Sequence, residues 1–107
     1  ENGVWDSPNT YPTFEQELWQ NQIHCCSLFK KEIWEKVGGY DEKMKDGYED
    51  WDFWIRAMYY GYKTTVIREP LFFYRKHGKS MIDDARKNHG LNREYMLNKY
   101  RTFNMID

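Results

Sequence analysis

Three carboxylates, Glu49, Asp50 and Asp52, fall among large rings in the stretch Gly47-Tyr48-Glu49-Asp50-Trp51-Asp52-Phe53-Trp54-Ile55-Arg56. Acids in the first turn of a helix interact favourably with the positive end of its dipole, which stabilises their ionised forms. Burial beside Trp51, Phe53 and Trp54 acts the other way, raising the pKa by desolvation. Where burial offsets the dipole, one carboxylate becomes an acceptor for a substrate proton, the general-base role. The plainer reading of the same residues is structural: Glu49 or Asp50 caps the helix, and Asp52 pairs with Arg56 one turn on.

A second group able to do chemistry is Arg75-Lys76-His77-Gly78-Lys79-Ser80, which is dense in donors. A histidine there is most often a loop residue, yet an imidazole among cations suits phosphate oxygens and their metal. An acidic site and a basic site together separate acceptor chemistry from leaving-group chemistry, as transfer from a nucleotide-activated donor requires. A third group is His24-Cys25-Cys26. Adjacent cysteines match neither a disulfide framework nor the CxxC pairs of zinc sites. Without a further Cys or His cluster nearby, they read as buried thiols of a core strand in a reducing compartment rather than as a metal site.

The elements that must hold these groups follow from pattern. Residues 1–13, with Gly3, Ser7, Pro8 and Pro12, read as a loop. Thr13 caps a short helix, with Gln16 placed for the reciprocal bond and Phe14, Leu18 and Trp19 available for packing. Residues 22–29 alternate as a first strand. Lys30 to Val37 is a short amphipathic helix closed by Gly38-Gly39, where the first glycine suits a left-handed cap and no phosphate-cradling role is needed. Residues 40–47 form a polar connector.

The central helix runs from about Glu49 to Tyr60, with Gly61 as its stop. Trp51, Ile55 and Met58 form one stripe and Phe53, Ala57 and Tyr60 another, with Trp54 between them. A helix apolar on nearly all sides packs on more than one side, which holds its first turn rigidly, as a catalytic group requires. Residues 63–68 alternate as a second strand and Pro70 opens a third over 71–75. Residues 81–104 read as trailing helices broken at Gly90, with Met96, Tyr100 and Phe103 as an apolar stripe. The expected fold class is therefore α/β with α+β character: a short mixed sheet with packed helices.

Composition narrows the class. The 107 residues make one domain at most, and 16 basic against 17 acidic residues, a net charge of -1, demand neither nucleic acid nor a membrane. Aromatic residues are 19% of the chain, more than a small core needs, and spare rings often serve flat ligands such as sugars. No apolar run approaches the roughly 20 residues of a transmembrane helix. The first residue, Glu1, suggests an excised or processed piece of a longer protein.

Four ordered blocks carry a resemblance: Ser27 to Glu32, Val37 to Glu42, Tyr48 to Arg56, and Pro70 to Ser80. Together they resemble the acceptor-side, C-terminal half of family 2 glycosyltransferases of the GT-A fold, over roughly residues 13–82. The resemblance implies that the chain is a single partial domain within an inverting, nucleotide-sugar-dependent enzyme. Asp50 would be the base that deprotonates the acceptor hydroxyl, and Glu49 would orient the acceptor or that base. Trp51 and Tyr48 would bind the acceptor. His77 would reach a divalent metal, Mg2+ or Mn2+, on the nucleotide diphosphate, which Arg75, Lys79 and Ser80 would contact.

The implied partners are a nucleotide-sugar donor and a carbohydrate or lipid-linked acceptor, with no nucleic acid. The implied location is cytoplasmic, with peripheral membrane attachment allowed. The family's donor-binding half and its Asp-x-Asp metal motif are missing, since Asp50-Trp51-Asp52 overlaps the base motif, so the isolated chain is expected to be inactive. The alternative is a non-catalytic carbohydrate-binding or interaction module using Trp51 and Trp54 as its platform.

Overall fold

Thr13 opens the first helix, α1 (Phe14–Trp19), by the capping box its sequence predicts. Its hydroxyl accepts from the Gln16 N–H at 3.2 Å, and the Gln16 side chain accepts from the Thr13 N–H at 2.9 Å, so two otherwise orphaned donors are satisfied. The computed structural model describes residues 11–69, 71 and 86–107. Three more helices follow among these residues: α2 (Lys31–Val37), α3 (Glu49–Tyr59) and α4 (His89–Thr102). Gly38 ends α2 at φ 91°, where both its own N–H and that of Gly39 bond to the Trp34 carbonyl. Gly39, at φ 74°, lies flat against Trp34: a Cβ there would meet the indole at 2.8 Å.

Helix α3 is central and packs on both α1 and α2. Its Trp51 and Ile55 join Met44, Met96 and Tyr100 in one buried cluster, against which Phe14, Leu18, Tyr48 and Leu97 pack. Its Phe53 and Trp54 face the other way, into a nest of rings formed with Phe29, Trp34 and Tyr40 at centroid distances of 5.0–6.2 Å. Two-sided packing thus leaves Phe53 and Ile55 fully buried. Burying each such side chain contributes about 1.5–3 kcal/mol. Met58 is half-buried and Tyr60, just beyond the helix, is exposed, so the two expected stripes hold over the first two turns only.

Among the described residues the expected mixed sheet does not form. The described residues form four helices and no strand, so the fold is all-helical over these residues rather than α/β. A strand is stable only where a neighbour pairs its backbone groups. Residues 22–29 instead satisfy theirs locally: Asn21 accepts from the Ile23 N–H, His24 Nδ1 accepts from the Cys26 N–H at 3.0 Å, and the Ser27 hydroxyl donates to the His24 carbonyl. Such side-chain bonds compete directly with a ladder.

Cys25 and Cys26 are consequently exposed, not buried in a core. Residues 62–67 keep their alternation, with Tyr62, Thr64 and Val66 half-buried and the residues between exposed. Among the described residues that segment nevertheless has no partner strand, and it ends in a tight turn from the Glu69 N–H to the Ile67 carbonyl. Of the expected third strand only Leu71 lies within the described residues. The trailing helices break at Asn88 rather than at Gly90: residues 86–87 are helical, Asn88 is a turn, and α4 starts at His89 and runs through Gly90. Met96 and Tyr100 are fully buried as expected, but Phe103 is exposed.

Candidate functional site

The three carboxylates of α3 separate into two environments. Asp52 points into the protein, is fully buried, and is held by three donors: Arg56 Nε donates to Oδ2 at 2.9 Å, while Lys99 Nζ at 2.8 Å and the Tyr100 hydroxyl at 2.6 Å share Oδ1. The same Arg56 donates to the Val37 and Gly39 carbonyls at the end of α2. Asp52 therefore joins the last turn of α2 to α4 and, fully buried, lies out of reach of a substrate. Burial and the negative Asp52 beside it push the Tyr100 hydroxyl well above the usual phenol range.

Glu49 and Asp50 are half-buried at the other end of α3. No side chain caps this helix start, so the acids of its first turn supply the charge that complements the dipole. Burial, reinforced by the charge of Asp50 and only partly offset by a bond from its own backbone N–H, raises the pKa of Glu49. Tyr48 precedes them at φ 65°, a left-handed conformation that costs a non-glycine residue about 1–2 kcal/mol. Its ring is held edge-on to Trp51, and its hydroxyl lies 2.8 Å from His89 Nδ1.

Around Asp50 opens a cavity of about 320 Å³. Tyr48, Asp50 and Trp51 form its α3 wall, Trp19, Gln20 and Asn21 at the end of α1 form a second, and His89, the first residue of α4, with Arg86 three residues before it, a third. Trp51 supports this arrangement from behind. It is 4% exposed, its Nε1–H donates to the Glu17 carbonyl at 2.6 Å, and the Arg93 guanidinium lies 4.9 Å over its ring while also donating to the Leu18 carbonyl. Trp19, in contrast, is 77% exposed and offers an open face.

Beneath the α1 wall Glu17 is completely buried, with Oε1 accepting from the Gln22 N–H at 2.9 Å and Oε2 without a hydrogen-bond partner. Desolvation, with a smaller contribution from the charge of Asp50, pushes its pKa up to about 8. It is a neutral acid at physiological pH, close enough to feel the Asp50 charge.

Of the residues singled out from sequence, the structure brings Tyr48, Asp50 and Trp51 to one cavity, while Glu49 stands beside it without lining it. Arg75, His77, Lys79 and Ser80 lie outside the described residues. Sequence reasoning missed Glu17, Gln20, Asn21, Arg86 and His89, and took Trp19 for a packing residue. One signal was available: Phe14 and Leu18 already complete the i, i+4 stripe of α1, which leaves Trp19 off the buried face.

A family model described as the N-terminal domain of galactosyltransferase matches residues 9–81. The chain belongs to that family. The match takes in all four sequence blocks noted above, so the glycosyltransferase class stands, but the family is 7 and not 2. No curated protein and no solved structure matches the chain. Arg86 and His89 lie beyond the region matched to the galactosyltransferase domain.

Galactosyltransferases of this family typically use a divalent metal. Mg2+ and Mn2+ require oxygen ligands. Among the described residues, however, Asp52 is consumed by its three partners, and the cluster of ligand atoms within mutual reach is the nitrogen and sulfur set of His24, Cys25 and Cys26. The described residues do not fit a Mg2+ or Mn2+ ion. No helix of the described residues is long and apolar enough to cross a membrane.

Proposed function

We propose that this domain serves an inverting glycosyl transfer from a nucleotide-sugar donor to an acceptor hydroxyl, with Asp50 as the general base. The acceptor sugar occupies the cavity, and its attacking hydroxyl gives its proton to the Asp50 carboxylate as the new bond to the anomeric carbon forms. The nucleotide diphosphate leaves from the opposite face of that carbon. Galactose is the donor sugar that the family description favours. The observation that carries this reading is the position of Asp50, half-buried and lining a cavity beside the open face of Trp19 and the ring of Tyr48.

Stacking of a sugar on Trp19 supplies affinity, and Gln20, Asn21 and Arg86 supply donors for its hydroxyls. Glu49, its pKa raised by burial, orients the acceptor hydroxyl or the base. Arg75, Lys79, Ser80 and His77 take the diphosphate in this scheme, on the strength of their donor chemistry alone. A binding module with Trp51 and Trp54 as its platform finds no support in their burial, at 4% and 6% exposed.

The test is steady-state kinetics of the intact protein carrying Trp19→Ala. The acceptor KM rises about three- to tenfold, the worth of one ring contact, with kcat nearly unchanged. An acceptor KM within twofold of the parent would remove the cavity as the acceptor site.

A further inference from the structure

In an extended strand His24 and Cys25 would point to opposite faces. The turn actually formed by residues 21–27 gathers three ligand groups on one side. His24 Nδ1, held by the Cys26 N–H, lies 3.7 Å from Cys25 Sγ, and one ligand atom from each of His24, Cys25 and Cys26 lies within 4.8 Å of the other two. Bonds of about 2.3 Å to sulfur and 2.0–2.1 Å to nitrogen put the edges of a tetrahedral zinc site near 3.6–3.8 Å. The His24–Cys25 edge already has that length, and rotation of the exposed Cys26 side chain closes the remainder.

We propose that His24, Cys25 and Cys26 form a binding site for a thiophilic divalent cation such as Zn2+, with three protein ligands and a fourth position open to solvent. Metal binding replaces the two thiol protons, which pass to solvent, and exchanges the Cys26 N–H bond of the imidazole for a bond to the ion. Two thiolates neutralise the dication. Both sulfurs are exposed, so the ion has an entry path. The donor set excludes Mg2+ and Ca2+, which take oxygen. The site is independent of the transfer reaction proposed above, and its test needs no sugar substrate.

The experiment titrates the reduced 107-residue chain with Co2+ as a spectroscopic substitute, followed by Zn2+ competition and native mass spectrometry. One ion per chain, with a thiolate-to-cobalt charge-transfer band and tetrahedral visible bands that Zn2+ abolishes, is the expected result. Second-layer changes at metal sites cost about 10- to 100-fold in affinity, so loss of a ligand in Cys25→Ser, Cys26→Ser or His24→Ala costs at least about tenfold. Far-ultraviolet circular dichroism of each variant, expected to remain helical, separates loss of a ligand from loss of the fold. Absence of the charge-transfer band, one ion shared by two chains, or affinity within twofold in the cysteine variants would each overturn the site.

Discussion

Trp51 Nε1 donates to the backbone carbonyl of Glu17 at 2.6 Å, and this buried bond joins the first turn of α3 to the last turn of α1. Two walls of the cavity are thereby held by one contact between residues 34 positions apart. Trp51→Phe keeps a ring but leaves the Glu17 carbonyl buried without its donor. The expected loss is about 1–3 kcal/mol in urea denaturation, with the m-value unchanged. A loss below about 0.3 kcal/mol would show that this bond does not tie the helices together.

Asp52 holds a network and not a substrate. Asp52→Asn leaves Lys99 and Arg56 without their shared negative charge, and breaking a buried pair in this way costs on the order of 3 kcal/mol. The measurement is a double-mutant cycle with Lys99→Ala. If Lys99 acts through Asp52, its removal costs less in the Asp52→Asn background by more than about 0.5 kcal/mol. Additive effects would place the stabilising role of Lys99 in its other bond, to Asp41 at 2.9 Å.

Glu17 makes stability depend on pH. Its pKa lies near 8 in the folded chain against an ordinary value of 4.5, so between these values the folded state holds a proton that the unfolded state has released. Raising the pH through this window withdraws stability, with a slope of at most about 1.4 kcal/mol per pH unit. Glu17→Gln keeps the acceptor for the Gln22 N–H and removes the titration. The variant is expected to lose that slope and to exceed the parent in stability at pH 8, as read by denaturation at a series of pH values. An equal slope in both proteins would mean that Glu17 ionises normally.

Local chemistry was legible in the sequence and tertiary meetings were not. The capping box at Thr13 and Gln16, the left-handed Gly38, and the span of α3 before Gly61 follow from neighbours in the chain, and all three form as expected. The strand at 22–29 was misread because alternation indicates which way side chains point, while a strand exists only if a distant partner accepts its backbone. Here Asn21, His24 and Ser27 take up the backbone bonds first. Asp50 and Tyr48 were found because acids and rings crowd one helix start. Arg86 and His89 reach the same cavity from almost 40 residues away, and nothing local to them marks it.

Single-turnover kinetics of the intact glycosyltransferase carrying Asp50→Asn tests the role of Asp50 as base most directly. The amide fits the same space but takes no proton, so the account expects the chemical step to slow by about 10²- to 10⁴-fold while the acceptor KM changes little. A rate within threefold of the parent would contradict Asp50 as the base and leave the cavity as a binding surface only.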